Sequence, residues 1–271
     1  MPWTDKHLDW LEDTGEKIET ISGLIAPVYK FNHDVFNNDI MSSWATHFRH
    51  HYCSEKELEF LKPPQELNSD YLVKIKFPDI RKAPGPSIRA GDFAEILVAD
   101  YLQYLHCFYV PRTRYDRKII GNESSKGSDV IAFYQKGEQP SNTDELLVYE
   151  VKALLSENKS ANVLQTAIND SKKDELRIAE SLNAIKQRLF DKNDDGGIKI
   201  ISRFQNLVDT PYKMSYGAAA VVSESSYCPD VLAKADASTH PFNNELSLLV
   251  IYGEELMLLV HALYERAANE A

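Results

Sequence analysis

Two strand-like apolar runs in this sequence carry charged side chains at positions that a sheet normally fills with apolar ones. The run SDVIAFYQ includes Asp129, and the run ELLVYEVKAL includes Glu150 and Lys152. Side chains at positions i and i+2 share one face of a strand, so Glu150 and Lys152 are expected side by side. An ionised carboxylate without a partner is costly to bury, so these strands must supply a counter-ion or bind a metal.

A divalent-cation site is the first interpretation of this pattern. If the two runs pair as strands, Asp129 approaches Glu150, and two carboxylates offer the hard oxygen ligands that suit Mg²⁺ or Mn²⁺. Lys152 would then orient or deprotonate a water that attacks a phosphate. The alternative is an ordinary ion pair between Glu150 and Lys152 on a half-exposed sheet face, with Asp129 capping a turn.

An acidic residue followed two positions later by lysine is a weak motif on its own. The pattern begins at four residues of this chain: Asp116, Glu150, Glu157 and Asp170. Among these, only Glu150 lies in an apolar run that follows a Gly-Ser-Asp strand candidate and a helix bearing Glu95. The context therefore favours Glu150.

The order of elements after residue 88 indicates an α/β fold. The segment GDFAEILVADYLQYLHC is apolar on most sides, which predicts a buried helix. Three strand candidates follow, FYVPRTRY, SDVIAFYQ and LLVYEVKAL, and then a helix from NKSANVLQTAI to AIKQRLF with an interruption near NDSKKDE. Strands at GAAAVVSES and ELSLLVIYG and a closing helix at EELMLLVHALYERAA complete the order.

The segment KAPGPS, residues 82–87, divides the chain, because closely spaced prolines and a glycine favour an extended linker. We expect an N-terminal α+β module over residues 1–85, a candidate for partner docking, and a second domain over residues 86–271. In the first part, IMSSWATHFRHHYC predicts a helix, and SEKELEFLK predicts a short helix with a Ser N-cap and a capping-box Glu57. YLVKIKFP alternates as a strand does.

The net charge of −11 argues against a protein that coats nucleic acid by electrostatics alone. Any contact with DNA must therefore be local. The segment VPRTRYDRK is the clearest basic stretch, and Arg112, Arg114 and Lys118 are its candidate phosphate contacts.

A cytoplasmic protein is the expectation from the termini and the cysteines. The start MPWTDKHLDWLEDTGEK does not resemble a secretory signal, and the apolar stretch LMLLVHALY is far short of the ~20 residues that span a bilayer. Three scattered cysteines fit a reducing compartment.

The segment from about residue 88 to 225 resembles the PD-(D/E)xK nuclease superfamily, whose restriction-endonuclease-like core runs helix, three-stranded meander, helix, strand. The resemblance places Asp129 at the metal-binding acid, Glu150 at the second acid and Lys152 at the lysine. Glu95 falls where many members carry a further acid on the first core helix, and Gln165 where some place a supporting glutamine. The resemblance implies a DNase that needs Mg²⁺ or Mn²⁺.

A narrower resemblance covers nearly the whole chain. WATHFRHHYC, IRAGDFAEILVADYL, GSDV and YEVK together look like the nuclease subunit of the Hachiman antiphage defence system, although Gly127 and Ser128 replace the superfamily's usual proline. This resemblance implies a prokaryotic DNA nuclease that works with a superfamily 2 helicase. A GxxxxGK phosphate loop is absent from the sequence, so the resemblance leaves ATP hydrolysis to the partner.

Two other functions stay open from the sequence. The chain could be a noncatalytic docking or regulatory subunit of a helicase, which its acidic balance and long N-terminal part would suit. It could also be a restriction or repair nuclease unrelated to defence.

A histidine-rich stretch offers a further candidate site. His47, His50, His51 and Cys53 are close in sequence, but Cys₂His₂ zinc spacing is absent. We expect a polar helix face that packs near the core.

Overall fold

A computed structural model describes residues 2–156, 161–243 and 245–271. The described residues form one mixed sheet of six strands in the order β1-β2-β6-β5-β4-β3. The strands are β1 Leu11–Glu19, β2 Ile25–Phe31, β3 Val130–Tyr134, β4 Glu145–Leu154, β5 Lys213–Ser223 and β6 Leu246–Gly253. Strands β2, β6, β5 and β4 run parallel to one another, and the edge strands β1 and β3 are antiparallel to their neighbours.

Helices cover both faces of this sheet, as expected for parallel strands that are buried on both sides. They are α1 Asn38–His50, α2 Glu55–Leu61, α3 Asn68–Tyr71, α4 Gly85–Asp100, α5 Val163–Ser171, α6 Asp174–Asp191, α7 Asp195–Arg203, α8 Pro229–Leu232 and α9 Leu256–Asn269. One apolar core lies between the sheet and α1, α4 and α9. A second core lies on the opposite face, under α5, α6, α7 and α8.

Most of the predicted elements are confirmed. The strands β3, β4, β5 and β6 and the helices α1, α2, α4 and α9 lie on the segments that predicted them. Ser54 and Glu57 form the predicted capping box at the start of α2. The predicted interruption near NDSKKDE falls between α5 and α6, while NKS lies outside the described residues.

Two strand predictions are wrong. In FYVPRTRY only Tyr109 pairs with the sheet, through a single bridge to Phe133, because Pro111 has no N–H to donate and the arginines turn toward buried acids. YLVKIKFP contains a π-helical turn over residues 72–76, and its buried residues Tyr71, Leu72 and Phe77 do not alternate as those of a strand would. The mixed α/β class is confirmed, and the restriction-endonuclease-like core stays a prediction.

The KAPGPS segment starts a helix instead of forming an extended linker. Helix α4 begins at Gly85 with Pro86 in its first turn, a position where the missing N–H of proline costs nothing. Gly85 is required here, because a Cβ atom would lie 2.2 Å from the backbone oxygen of Asp79.

The N-terminal hairpin of β1 and β2 extends the central sheet, since β2 pairs in parallel with β6. No strand signal in the sequence predicts this hairpin, and most β1 side chains are exposed. The division into domains at residue 85 stays a prediction. Among the described helices, none combines the length and the apolar character needed to cross a membrane.

Candidate active site

Three of the predicted acids line one cleft of about 660 Å³. Glu95 comes from α4, Asp129 from the residue before β3, and Glu150 from the middle of β4. Segment 110–115 and helix α6 form the walls of the cleft. Lys152 lies on β4, two residues beyond Glu150, and is not among the residues that line the cleft. Elements distant in sequence therefore bring the three carboxylates to one cavity.

The antiparallel register of β3 and β4 positions Asp129 beside Glu150. Val130 pairs with Tyr149, so Asp129 falls one step further along, opposite Glu150. Asp129 Oδ2 accepts a hydrogen bond of 2.9 Å from the backbone N–H of Val151, which fixes the carboxylate at the sheet edge. Gly127 turns the chain into this position with φ +94°, a conformation that favours glycine.

Arg114 joins two of the acids. Its Nη2 lies 2.7 Å from Asp129 Oδ1, and its guanidinium also forms an ion pair with Glu95. The Tyr115 hydroxyl donates a hydrogen bond to Glu95 as well. Burial raises the pKa of Glu95, and the Arg114 charge opposes that rise.

Glu150 and Lys152 share the face of β4 that their spacing predicted. Lys152 Nζ lies 2.5 Å from Glu150 Oε1 and 2.9 Å from Asp170 Oδ2, at the end of α5. Their neighbours on β5 are Ala218 and Ala220, whose small side chains leave room for long charged ones. Burial and the nearby Asp129 carboxylate raise the pKa of Glu150 to about 7, whereas the pKa of Lys152 is raised, despite its burial, by hydrogen bonds to Glu150 and Asp170.

Sequence reasoning missed two acids at this site, Asp170 and Asp174. Asp174 opens α6 and is fully buried, and burial raises its pKa to about 6, close enough to Asp129 for the two charges to interact. In the sequence, Asp170 stands out only as the start of an acid-x-lysine pattern. The available signal for both acids was the polar stretch NDSKKDE between two apolar helical runs. A junction between two helices that cover a sheet can bring its polar side chains close to the strands.

The three predicted phosphate contacts all make internal ion pairs. Arg112 pairs with Asp100 and Lys118 pairs with Asp92 at 2.7 Å, and both cations are almost completely buried. Arg114 is committed to the acids of the cleft. Their contact with DNA stays a prediction. The internal ion pairs weigh against it, because each of the three charges is already neutralised within the chain.

Three other cations face the cleft. Lys126, Arg177 and Arg188 line it and make no close ion pair within the described part of the chain, while Arg177 interacts at longer range with Asp174 and Arg188 with Asp116. Arg177 and Arg188 lie on the face of α6 that also carries Ser181. The sequence signal for this face was the spacing of these residues: Ser181 follows Arg177 by 4 positions and precedes Arg188 by 7, which places all three on one side of a helix.

Gln165 lies on α5 as predicted, but its side chain is used elsewhere. Its amide accepts a hydrogen bond of 2.7 Å from the backbone N–H of Asp236 and donates one of 3.1 Å to the carbonyl of the same residue. A supporting role at the cleft stays a prediction.

The histidine stretch forms a second polar group at the C-terminal end of α4, next to the cleft that His51 and Arg112 also line. His47, His51 and Asp100 are buried, and their ligand atoms all lie within 4.8 Å of one another, close enough to hold a metal ion. Arg112 already occupies this group, with Nη1 2.5 Å from Asp100 Oδ1 and 3.0 Å from His51 Nε2. Burial lowers the pKa of both histidines. Cys53 is not a member of the group, and Asp100 was missed because it is distant in sequence.

Fold and cleft together define a mixed α/β protein with a carboxylate-lined cleft bordered by cations. The HamA family profile matches residues 5–267, and the chain belongs to this family. The resemblance to the Hachiman antiphage defence subunit is thereby confirmed at the level of the family. No curated protein shows significant similarity to the chain.

Proposed function

We propose that this chain is a metal-dependent DNA nuclease of a Hachiman antiphage defence system and that it acts with a helicase partner. The observation that carries the proposal is the convergence of Glu95, Asp129 and Glu150 in one cleft, with Lys152 beside Glu150. Family membership supports the defence role. The convergence of the three acids, with the lysine two residues beyond Glu150 on the same strand, also supports the assignment to the PD-(D/E)xK superfamily.

The residues of the cleft fit a hard divalent cation. Glu95, Asp129 and Glu150 offer carboxylate oxygens, which Mg²⁺ and Mn²⁺ prefer over nitrogen or sulfur. The same site already accommodates a positive charge, because Arg114 lies between Glu95 and Asp129. When bound, the cation would polarise the scissile phosphate and lower the pKa of a water.

Lys152 acts in this proposal as a fixed cation that orients water and stabilises developing negative charge. Hydrogen bonds to Glu150 and Asp170 raise its pKa, which keeps the ammonium protonated and argues against a role as a general base. The noncatalytic alternative gives no reason for three acids and a lysine to converge in this way.

DNA would approach along α6. Lys126, Arg177 and Arg188 border the acids and, within the described residues, make no close ion pair, so their charges can meet a phosphate. Arg114 could reach a phosphate only after it leaves Glu95 and Asp129. The N-terminal part, residues 1–85, remains our candidate for the surface that docks the helicase.

The test is plasmid degradation in the presence and absence of Mg²⁺ by the purified chain with its helicase. Asp129→Asn and Lys152→Met should each reduce the rate by about 100-fold or more, the usual cost of removing a preorganised charge. Lys213→Met is the matched control, because Lys213 pairs with Glu145 at the other end of β4, roughly 20 Å away. Equal loss in all three variants, or cleavage in EDTA, would contradict the proposal.

A further inference from the structure

The Arg114 side chain uses all three of its nitrogens on oxygen acceptors. Nε and Nη2 donate to Glu95, and Nη2 also donates to Asp129 Oδ1 at 2.7 Å. Nη1 donates to the backbone carbonyl of Ser128, and Nη2 also lies 3.4 Å from the backbone carbonyl of Ser125. Carboxylate and carbonyl oxygens therefore surround one positive charge.

A divalent cation would seek the same oxygen atoms. Mg²⁺ needs ligand distances of about 2.0 to 2.1 Å, and the Asp129 oxygen that faces the cleft is already hydrogen-bonded to the guanidinium. Arginine and metal cannot both occupy the space between Glu95 and Asp129, so binding of the metal requires the guanidinium to move.

The space between Glu95 and Asp129 needs a positive charge at all times, either the Arg114 guanidinium or a metal ion. Only 14% of the Glu95 side chain and 12% of the Asp129 side chain is exposed, and two such carboxylates left unpaired repel each other in a poorly solvated site. Arginine stays charged under all ordinary conditions. The apo chain therefore has a permanent internal counter-ion, which the incoming cation must displace.

We propose that Arg114 is an internal competitor of the catalytic metal: it occupies the cation site between Glu95 and Asp129 in the apo chain and thereby weakens metal binding. The inference rests on the proposed function, because it takes these two acids as metal ligands. It assigns Arg114 a role in setting the metal affinity, in place of a primary contact with DNA.

Isothermal titration of the full chain with Mn²⁺ tests this role. Arg114→Ala should bind Mn²⁺ roughly 10- to 100-fold more tightly than the wild type, the range for removing a charge-assisted hydrogen-bonded competitor. Mn²⁺ should also raise the melting temperature of Arg114→Ala by more than that of the wild type, because the metal supplies the missing counter-ion. Arg114→Lys keeps a buried positive charge to support folding, yet cannot bridge both acids, so its affinity should be intermediate.

Arg203→Ala is the matched control. Arg203 forms a buried ion pair with Asp144, at the end of β4 remote from the cleft, so its removal should lower stability without changing Mn²⁺ affinity. Equal or weaker Mn²⁺ binding by folded Arg114→Ala and Arg114→Lys, with clear binding by the wild type, overturns the competition alone. If neither the wild type nor these variants bind Mn²⁺, the metal site of the proposed function fails as well.

Discussion

Lys152 Nζ lies 2.9 Å from Asp170 Oδ2, so a residue of α5 forms an ion pair with the lysine of β4. Asp170 is itself only partly buried and also pairs with Lys173. The lysine is thus fixed from two sides, by Glu150 on its own strand and by Asp170 across the connection. This makes Asp170 a positioning residue for the proposed reaction.

Asp170→Asn should lower kcat for DNA cleavage by about tenfold while KM changes little, because the ammonium loses one of its two anchors and its orientation. Single-turnover cleavage with the helicase present measures the effect. Lys173→Ala is the control, since it removes the other, exposed partner of Asp170 and should leave the rate unchanged. An unchanged rate in Asp170→Asn would show that Glu150 alone positions the lysine.

The cations on α6 should carry the salt dependence of DNA binding. Replacing both Arg177 and Arg188 with alanine should weaken binding to duplex DNA and reduce the slope of log K against log salt by roughly 0.9 for each phosphate that these arginines neutralise. Binding measured in EDTA over a series of salt concentrations checks this. Arg266→Ala, on α9 at the opposite layer, should leave the slope unchanged. If Arg266→Ala reduced the slope and the Arg177 and Arg188 double variant did not, DNA would bind on the α9 side and not along α6.

Acid should destabilise the chain through His50. Burial lowers the pKa of His50 from 6.5 to about 4, so the folded state prefers the neutral ring. The unfolded state takes up the proton first, and His50 therefore contributes stability above pH 6.5 that is lost as the pH falls toward 4, on the order of 3 kcal/mol. Urea denaturation at several pH values gives the free energy of unfolding. Between pH 6.5 and 4 this free energy should fall less steeply for His50→Gln than for the wild type. Parallel curves for the two proteins would refute this contribution.

Arg112 should block zinc at the histidine group. Removing one partner of a buried ion pair costs roughly 3 to 5 kcal/mol, so Arg112→Ala should melt at a lower temperature. Zn²⁺ should restore part of this stability, because the ligand atoms of His47, His51 and Asp100 lie within 4.8 Å of one another and a cation can replace the lost guanidinium between them, while His7 still holds the second Asp100 oxygen. Thermal melts with and without Zn²⁺ test this, and adding His51→Ala should abolish the rescue. Zinc rescue in the double variant would mean that the metal binds at another position.

Periodicity and local chemistry predicted the central strands and the acids on them. Glu150 and Lys152 are neighbours because a strand alternates its side chains, and this rule requires no tertiary information. The pairing of Asp129 with Glu150 needed only the assumption that two consecutive strands meet. These parts of the site depend on local geometry, which a sequence specifies directly.

The remaining features depend on contacts between distant segments. Arg114 pairs with Glu95 and Asp129, which precede and follow it by more than ten residues, so the basic stretch alone does not reveal these ion pairs. Strand β1 has few buried side chains, and the β1–β2 hairpin is joined to the sheet by the pairing of β2 with β6, far away in sequence. Asp174 is buried near Asp129, which precedes it by 45 residues. Tertiary partners decide these cases, and composition does not show them.

The isolated chain should cut DNA poorly and should depend on its helicase for substrate. A net charge of −11 opposes the approach of DNA, and Arg112 and Lys118 are neutralised by internal acids. Non-specific binding lies at about 10⁻⁴ to 10⁻⁶ M even for proteins with several phosphate contacts, so this chain should bind at the weak end of that range. A partner that already holds DNA raises the effective concentration at the cleft without a new contact. The assay compares plasmid degradation with Mg²⁺ by the chain alone, with the helicase, and with the helicase and ATP. We expect degradation at an appreciable rate only with the helicase, and full-speed degradation by the lone chain at nanomolar concentration would refute the dependence.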